Sequence, residues 1–192
     1  MKINKFFNIS LLSYPVFLVF ISGFFSCSSL LRNPFVLQPK PSADTFISWN
    51  ENRKLSWDDY KGVPDMDLKA SAITYCELGF RMSKPTIFHK TKYVVYNNFF
   101  PEQSWVKPEF KTDEILLKHE QGHFDLAQVY AKKLNLSLQK KHPAQARKIW
   151  KKIYDKYVQA QQRYDRETKY GTDSLQQKKW NEYIQKELSG NP

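Results

Sequence analysis

The spacing of the apolar residues beyond residue 44 changes at Lys111, and that change sets the fold class. From residue 45 to Lys111 apolar residues alternate in short runs; after it they recur at three- and four-residue steps. In the first half, Thr45–Trp49 reads as a short strand. Ala70–Met82 reads as one strand, with Ile73, Tyr75, Glu77 and Gly79 on one side and Thr74, Cys76, Leu78 and Phe80 on the other. Lys92–Asn97 is β-prone at every position of Tyr93-Val94-Val95-Tyr96, and Phe99 through Trp105 reads as a loop.

In the second half, Thr112-Asp113-Glu114 is a helix start with acidic residues in its first turn. Leu116, His119, His123, Leu126, Ala127, Tyr130 and Leu134 then share one helical stripe. His142-Pro143 breaks the chain, and a second helix runs from about Ala144 to Thr168. Tyr170-Gly171 ends it. Thr172 or Asp173 caps a third helix carrying Leu175, Trp180, Tyr183, Ile184 and Leu188. The pattern predicts an α+β fold: a small, mostly antiparallel sheet, then an antiparallel helical hairpin and a C-terminal helix.

The 192 residues suit one domain with a real core. Two Cys exclude a disulfide-dense scaffold, and the four His, at 89, 119, 123 and 142, do not fall in zinc-finger spacing. Residues 1–26 read as an export signal, with Lys2 and Lys5 before the apolar run Ile9–Phe25. The run ends at Phe24-Phe25-Ser26-Cys27, which resembles a bacterial lipoprotein signal with Cys27 as the acylated residue. Phe24 and Phe25 depart from that pattern, so a cleaved soluble protein, an uncleaved anchor and a Cys27–Cys76 disulfide are the competing readings. Residues 27–44 read as a tether and 45–190 as the folded domain. The expected location is therefore the cell envelope, membrane-anchored and facing the periplasm, or secreted. Losing Lys2 and Lys5 with the leader lowers the net charge from +11 to +9.

His119-Glu120-Gln121-Gly122-His123 carries the chemistry. At i and i+4 on a helix both imidazoles reach one metal ion, which two neutral rings and an open position suit as catalytic Zn²⁺. Glu120 sits beside that face, placed to act as general base on a water. Both His lie on the buried stripe, where an unsatisfied ring would cost about 1–3 kcal/mol. Gly122, mid-helix at a cost of about 1 kcal/mol, points to a close approach by another backbone or by substrate. The competing reading is a pair of hydrogen-bonded core histidines, one of them paired with Asp125.

A third ligand follows from hairpin arithmetic. If two antiparallel helices turn near His142, residue 119 faces 165 and residue 123 faces 161. Asp165 is thereby the first candidate and Glu167 the second, with a surface ion pair to Arg163 or Arg166 as the alternative for Asp165. Tyr170 is a candidate hydrogen-bond donor to an oxyanion, or a packing residue at the helix end. His89 and His142 read as surface residues.

Leu55-Ser56-Trp57-Asp58-Asp59-Tyr60-Lys61-Gly62, Ser104-Trp105, Leu116 through Leu126, Tyr164 through Gly171 and Gln176 through Asn181 together resemble a bacterial family, the domain of unknown function 922 family, described as secreted zinc-dependent proteases. The resemblance spans about residues 55–188. It implies a zincin-like metallopeptidase with His119 and His123 as zinc ligands and Glu120 as general base. In the family pattern a His often precedes the Gly of the Tyr164–Gly171 segment; here Tyr170 stands there, so if that His is the family's third ligand the resemblance implies either that Asp165 or Glu167 replaces it or that the site is weakened.

Three functions compete at this stage. The first is an envelope zinc peptidase acting on protein or peptide substrates. The second is a zinc-binding lipoprotein with a structural or binding role. The third is a basic module, built on Lys132-Lys133, Lys140-Lys141, Lys151-Lys152 and Lys178-Lys179, for anionic partners. Export argues against nucleic acid as a partner.

Overall fold

A computed structural model describes residues 46–83, 91–139 and 141–190. The signal, the tether, Cys27, Thr45 and His89 lie outside the described residues. No helix among the described residues is long and apolar enough to cross a membrane.

The architecture is α+β. Strands β1 (Ile47–Ser48), β3 (Cys76–Met82) and β4 (Tyr93–Phe99) form an antiparallel sheet in the order β1-β4-β3, registered from Cys76 opposite Phe99 to Met82 opposite Tyr93. Between β1 and β3 lies β2 (Ala72–Ile73), which pairs with β5 (Trp105–Val106) in a separate two-stranded sheet. Helices α1 (Glu114–Leu138), α2 (Pro143–Thr168) and α3 (Ser174–Ser189) follow. Asp113 caps α1 through the Leu116 N–H, His142 caps α2 through the Ala144 N–H, and Asp173 caps α3 through the Gln176 N–H.

Two local expectations are corrected. The run from Ala70 to Met82 is two strands in two sheets, not one. At the break, Thr74 Oγ1 is bonded to the Tyr60 hydroxyl at 2.7 Å, and the Tyr75 N–H donates to Ser104 Oγ at 2.9 Å. Ser104 Oγ takes a backbone N–H that a continuous ladder would have paired, and the Thr74–Tyr60 bond holds the side chains at the step between the two sheets. Ser104-Trp105, read as loop, delivers β5. Its partner lies more than thirty residues upstream, a pairing that local alternation does not encode.

Helix α1 is the axis of the molecule. One flank packs on the sheets through Phe124 against Leu55, Tyr60, Ala72, Phe99 and Val106. Further along, Ala127, Ala131, Leu134 and Leu138 meet Leu78 of β3 and Ala146, Trp150 and Tyr157 of α2. On its third side Leu126 and Val129 meet Tyr164 of α2 and Trp180 and Ile184 of α3. A helix covered on three sides can bury polar side chains only if neighbours satisfy them. His119, Glu120, His123 and Asp125 are all buried in this stretch.

Candidate metal centre

The two histidines meet as the i, i+4 spacing predicts. Their Nε2 atoms lie 3.2 Å apart. From the facing helix, Asp165 Oδ1 lies 3.0 Å from His123 Nε2 and 3.4 Å from His119 Nε2. The hairpin does place residue 161 against 123 and residue 165 against the histidine pair.

The hydrogen bonds on the far side of each ring decide which atoms are free. Gln161 Nε2 donates to the His123 carbonyl at 2.9 Å, so its oxygen faces His123 Nδ1, at 2.7 Å. The Tyr164 hydroxyl donates to the His119 carbonyl at 3.0 Å and accepts from Gln177 Nε2 at 2.7 Å. Gln177 therefore turns its oxygen to His119 Nδ1, at 3.1 Å. Both Nδ1 atoms must carry the proton, and both Nε2 lone pairs point inward.

Three acceptors thus converge in a buried space: two bare Nε2 atoms and Asp165 Oδ1, at which no hydrogen-bond donor is aimed among the described residues. Such a cluster is repulsive unless a cation occupies its centre. The protein's own remedy is a proton. Burial pulls the His123 imidazole down, but the Asp165 carboxylate opposes this and wins, pushing it up to about 9. Burial likewise raises the Asp165 carboxyl, and His123 and His119 together outweigh that to hold it below its ordinary value.

The geometry also fits a metal ion. Tetrahedral ligands about 2.0–2.1 Å from a zinc ion lie roughly 3.3–3.4 Å from one another. The observed edges of 3.0, 3.2 and 3.4 Å are close to that triangle without movement of any helix. Atoms of His119, Glu120 and His123 also lie within 4.8 Å of one another, and this buried group could bind a metal. Asp165 is nearer to both rings than that limit requires, so Asp165 best completes the triangle. Glu120 is then left beside it.

The floor of an open cleft of about 450 Å³ is formed by His119 and Glu120. Residues 67–72 and Leu116 make one wall, and Lys169, Tyr170 and Thr172 the other. Lys107 holds the first wall, its backbone N–H on the Ser71 carbonyl at 2.9 Å and its ammonium on the Leu68 carbonyl at 2.7 Å. The second wall is a left-handed turn: Lys169, Tyr170 and Gly171 have φ of 48°, 57° and 84°. Two non-glycine residues in that region cost on the order of 1–3 kcal/mol each. Gly171 is needed because a Cβ there would stand 2.9 Å from His119 Cβ. The turn sets Tyr170 half-buried in the cleft, its hydroxyl pKa raised by burial and then by Asp165.

Other candidates go elsewhere. Glu167 is exposed and accepts from Trp180 Nε1 at 2.9 Å, with Arg163 at 3.5 Å, so it points away from the site. Asp125 pairs with neither histidine. It accepts from Trp49 Nε1 at 2.7 Å and Gln121 Nε2 at 2.8 Å, with Lys54 at 3.2 Å, on the sheet side of α1. Gly122 does accommodate a close approach, but by a side chain: a Cβ there would overlap the Tyr164 hydroxyl. Tyr164 stacks on His119 at 4.7 Å and meets His123 edge-on at 4.9 Å.

Gln161, Tyr164 and Gln177 were not read as site residues. Tyr164 fits an inward stripe and reads as core; Gln177 sits on a buried face of α3, where a polar residue is itself a signal.

Residues 105–171 match the family model described as "Bacterial protein of unknown function (DUF922)". Over these residues the chain is similar to that family. The matched segment runs from β5 to Gly171 and so contains both histidines, Glu120, Asp165 and Tyr170. Leu55–Gly62 and α3 lie outside it. The family description names no activity, and neither a curated protein nor a solved structure matches the chain.

Proposed function

We propose that this protein is a zinc-dependent peptidase of the cell envelope with a zincin-like active site. The observation that carries the reading is the buried triangle of two Nε2 atoms and Asp165 Oδ1, one of whose histidines, His119, lines an open cleft together with Glu120. In this reading His119, His123 and Asp165 hold the ion. Bound there, Zn²⁺ supplies Lewis acidity, polarising a carbonyl and lowering the pKa of water. Glu120 takes the proton from the attacking water and returns it to the leaving amine. The Tyr170 hydroxyl, held over the cleft by the left-handed turn, donates to the oxyanion. The cleft admits a peptide or an unfolded segment of protein, and a lipid on Cys27 would keep the enzyme at the membrane, facing the periplasm.

The test is metal analysis beside peptide cleavage. The wild-type chain should carry one zinc and cleave an unfolded protein substrate. Glu120→Gln should keep the zinc and lose at least about a hundredfold in turnover. His123→Ala and Asp165→Ala should lose the metal. Stoichiometric zinc with no cleavage of any substrate, in a chain that unfolds on chelation, would establish the structural role instead. A Glu120→Gln chain as active as wild type would reject the mechanism.

A further inference from the structure

At the far end of the hairpin from the histidines, a groove of about 720 Å³ runs between the end of α1 and the first half of α2. Leu136 is thirteen residues beyond His123, about 20 Å along the axis, so the groove is remote from the cleft. Its apolar lining is aliphatic: Leu136, Ile149 and Ile153. Around them stand Lys141, Lys148, Lys152 and Lys156, and among the described residues no acidic side chain lines the groove.

Several neighbouring lysines on the helices are engaged within the protein, and among the described residues the groove lysines are not. Lys132 caps the end of α3 through the carbonyls of Leu188 and Gly190, at 2.6 and 3.0 Å. Lys133 is paired with Glu187 at 2.6 Å, and Lys151 with Asp155, the one acid in this half of α2, at 2.9 Å. Among the described residues, no ion pair engages Lys141, Lys148, Lys152 or Lys156. Lys148, Lys152 and Lys156 follow at four-residue steps, a row of ammonium groups about 12 Å long beside the aliphatic strip.

We propose that this groove is a docking surface for an anionic phospholipid membrane. A row of lysines over aliphatic side chains suits the boundary between headgroups and acyl chains: the stems lie on the apolar layer and the ammonium groups reach the phosphates. Nucleic acid fits less well, because its bases stack on aromatic rings and the groove presents none. An acidic protein leaves the aliphatic strip without a counterpart. Docked by the tip of the hairpin, the domain holds the cleft of α1 about 20 Å from the lipid.

The test uses the full chain in vesicle flotation. The quantity read is the ratio of its affinity for vesicles with about 30 mol % phosphatidylglycerol to that for phosphatidylcholine alone, so any contribution of the N-terminus that is independent of headgroup charge cancels. Each lysine beside such a surface contributes about fivefold, so Lys148→Gln/Lys152→Gln/Lys156→Gln should lower the ratio on the order of a hundredfold. Lys178→Gln/Lys179→Gln/Lys186→Gln, which removes the same charge from exposed positions on α3, should leave it within about threefold. Leu136→Ser, at an exposed position, should weaken binding to the anionic vesicles and leave helicity by circular dichroism unchanged. Equal losses in the two triple variants would overturn the proposal in favour of net charge alone. Binding of a single-stranded oligonucleotide as tight as that of the anionic vesicles, with Leu136→Ser without effect, would overturn it in favour of a polyanion site.

Discussion

Replacing Gly122 by Ala tests the packing of the metal centre with a result whose sign local rules get wrong. In an isolated helix the change stabilises by about 1 kcal/mol. Here the new methyl would overlap the Tyr164 hydroxyl and lie 2.8 Å from its Cζ. Tyr164 has nowhere to retreat, being fully buried between the His119 and His123 rings and Trp180, 5.4 Å away. Overpacking costs about 1–3 kcal/mol, and displacing a buried hydroxyl from its partners about 1–3 more. Against the gain in helix propensity, the net destabilisation is roughly 3 kcal/mol. Urea unfolding of the metal-free chain measures it, with the slope unchanged. Tyr164→Phe removes the overlapping oxygen, so the double variant should lose about 1–2 kcal/mol less than the two single changes together. A Gly122→Ala chain as stable as wild type would falsify the tight Gly122–Tyr164 contact.

Gln161→Leu removes the acceptor that fixes His123 Nδ1–H and should weaken zinc binding about 10–100-fold in a chelator competition, while Gln177→Leu does the same through His119. Asp125→Ala breaks the links to Trp49, Gln121 and Lys54 and should cost about 1–3 kcal/mol in urea unfolding with zinc affinity unchanged, separating that carboxylate from the site. Zinc and a proton compete for the same lone pairs. Because the folded His123 is raised to about 9 from 6.5, the proton's stabilisation is complete below about pH 6.5 and is lost as pH rises through 9. Zinc affinity should accordingly climb up to about tenfold per pH unit and level off above pH 9, read from competition titrations across that range.

The helices were legible because their signals are local. Asp113, His142-Pro143 and Asp173 mark the starts, and the 3.6-residue period marks the faces, so the hairpin arithmetic brought 161 to 123 and 165 to the histidine pair. The β half was less legible. Ala70–Met82 alternates as one strand, and only the bonds of Thr74 to Tyr60 and Tyr75 to Ser104 reveal that it belongs to two sheets. Trp105-Val106 became a strand because Ala72-Ile73 reached it across the fold.

Side-chain spacing along one helix was enough to place His119, Glu120 and His123 together, since a rigid rod leaves no freedom in the matter. The direction of their lone pairs was not. That depended on Gln161 from α2, on Gln177 from α3 and on the Tyr164 hydroxyl that joins Gln177 to α1, groups brought together only when the three helices pack. Hydrogen-bond direction depends on the positions of atoms far apart in the chain, and no period in the sequence records it.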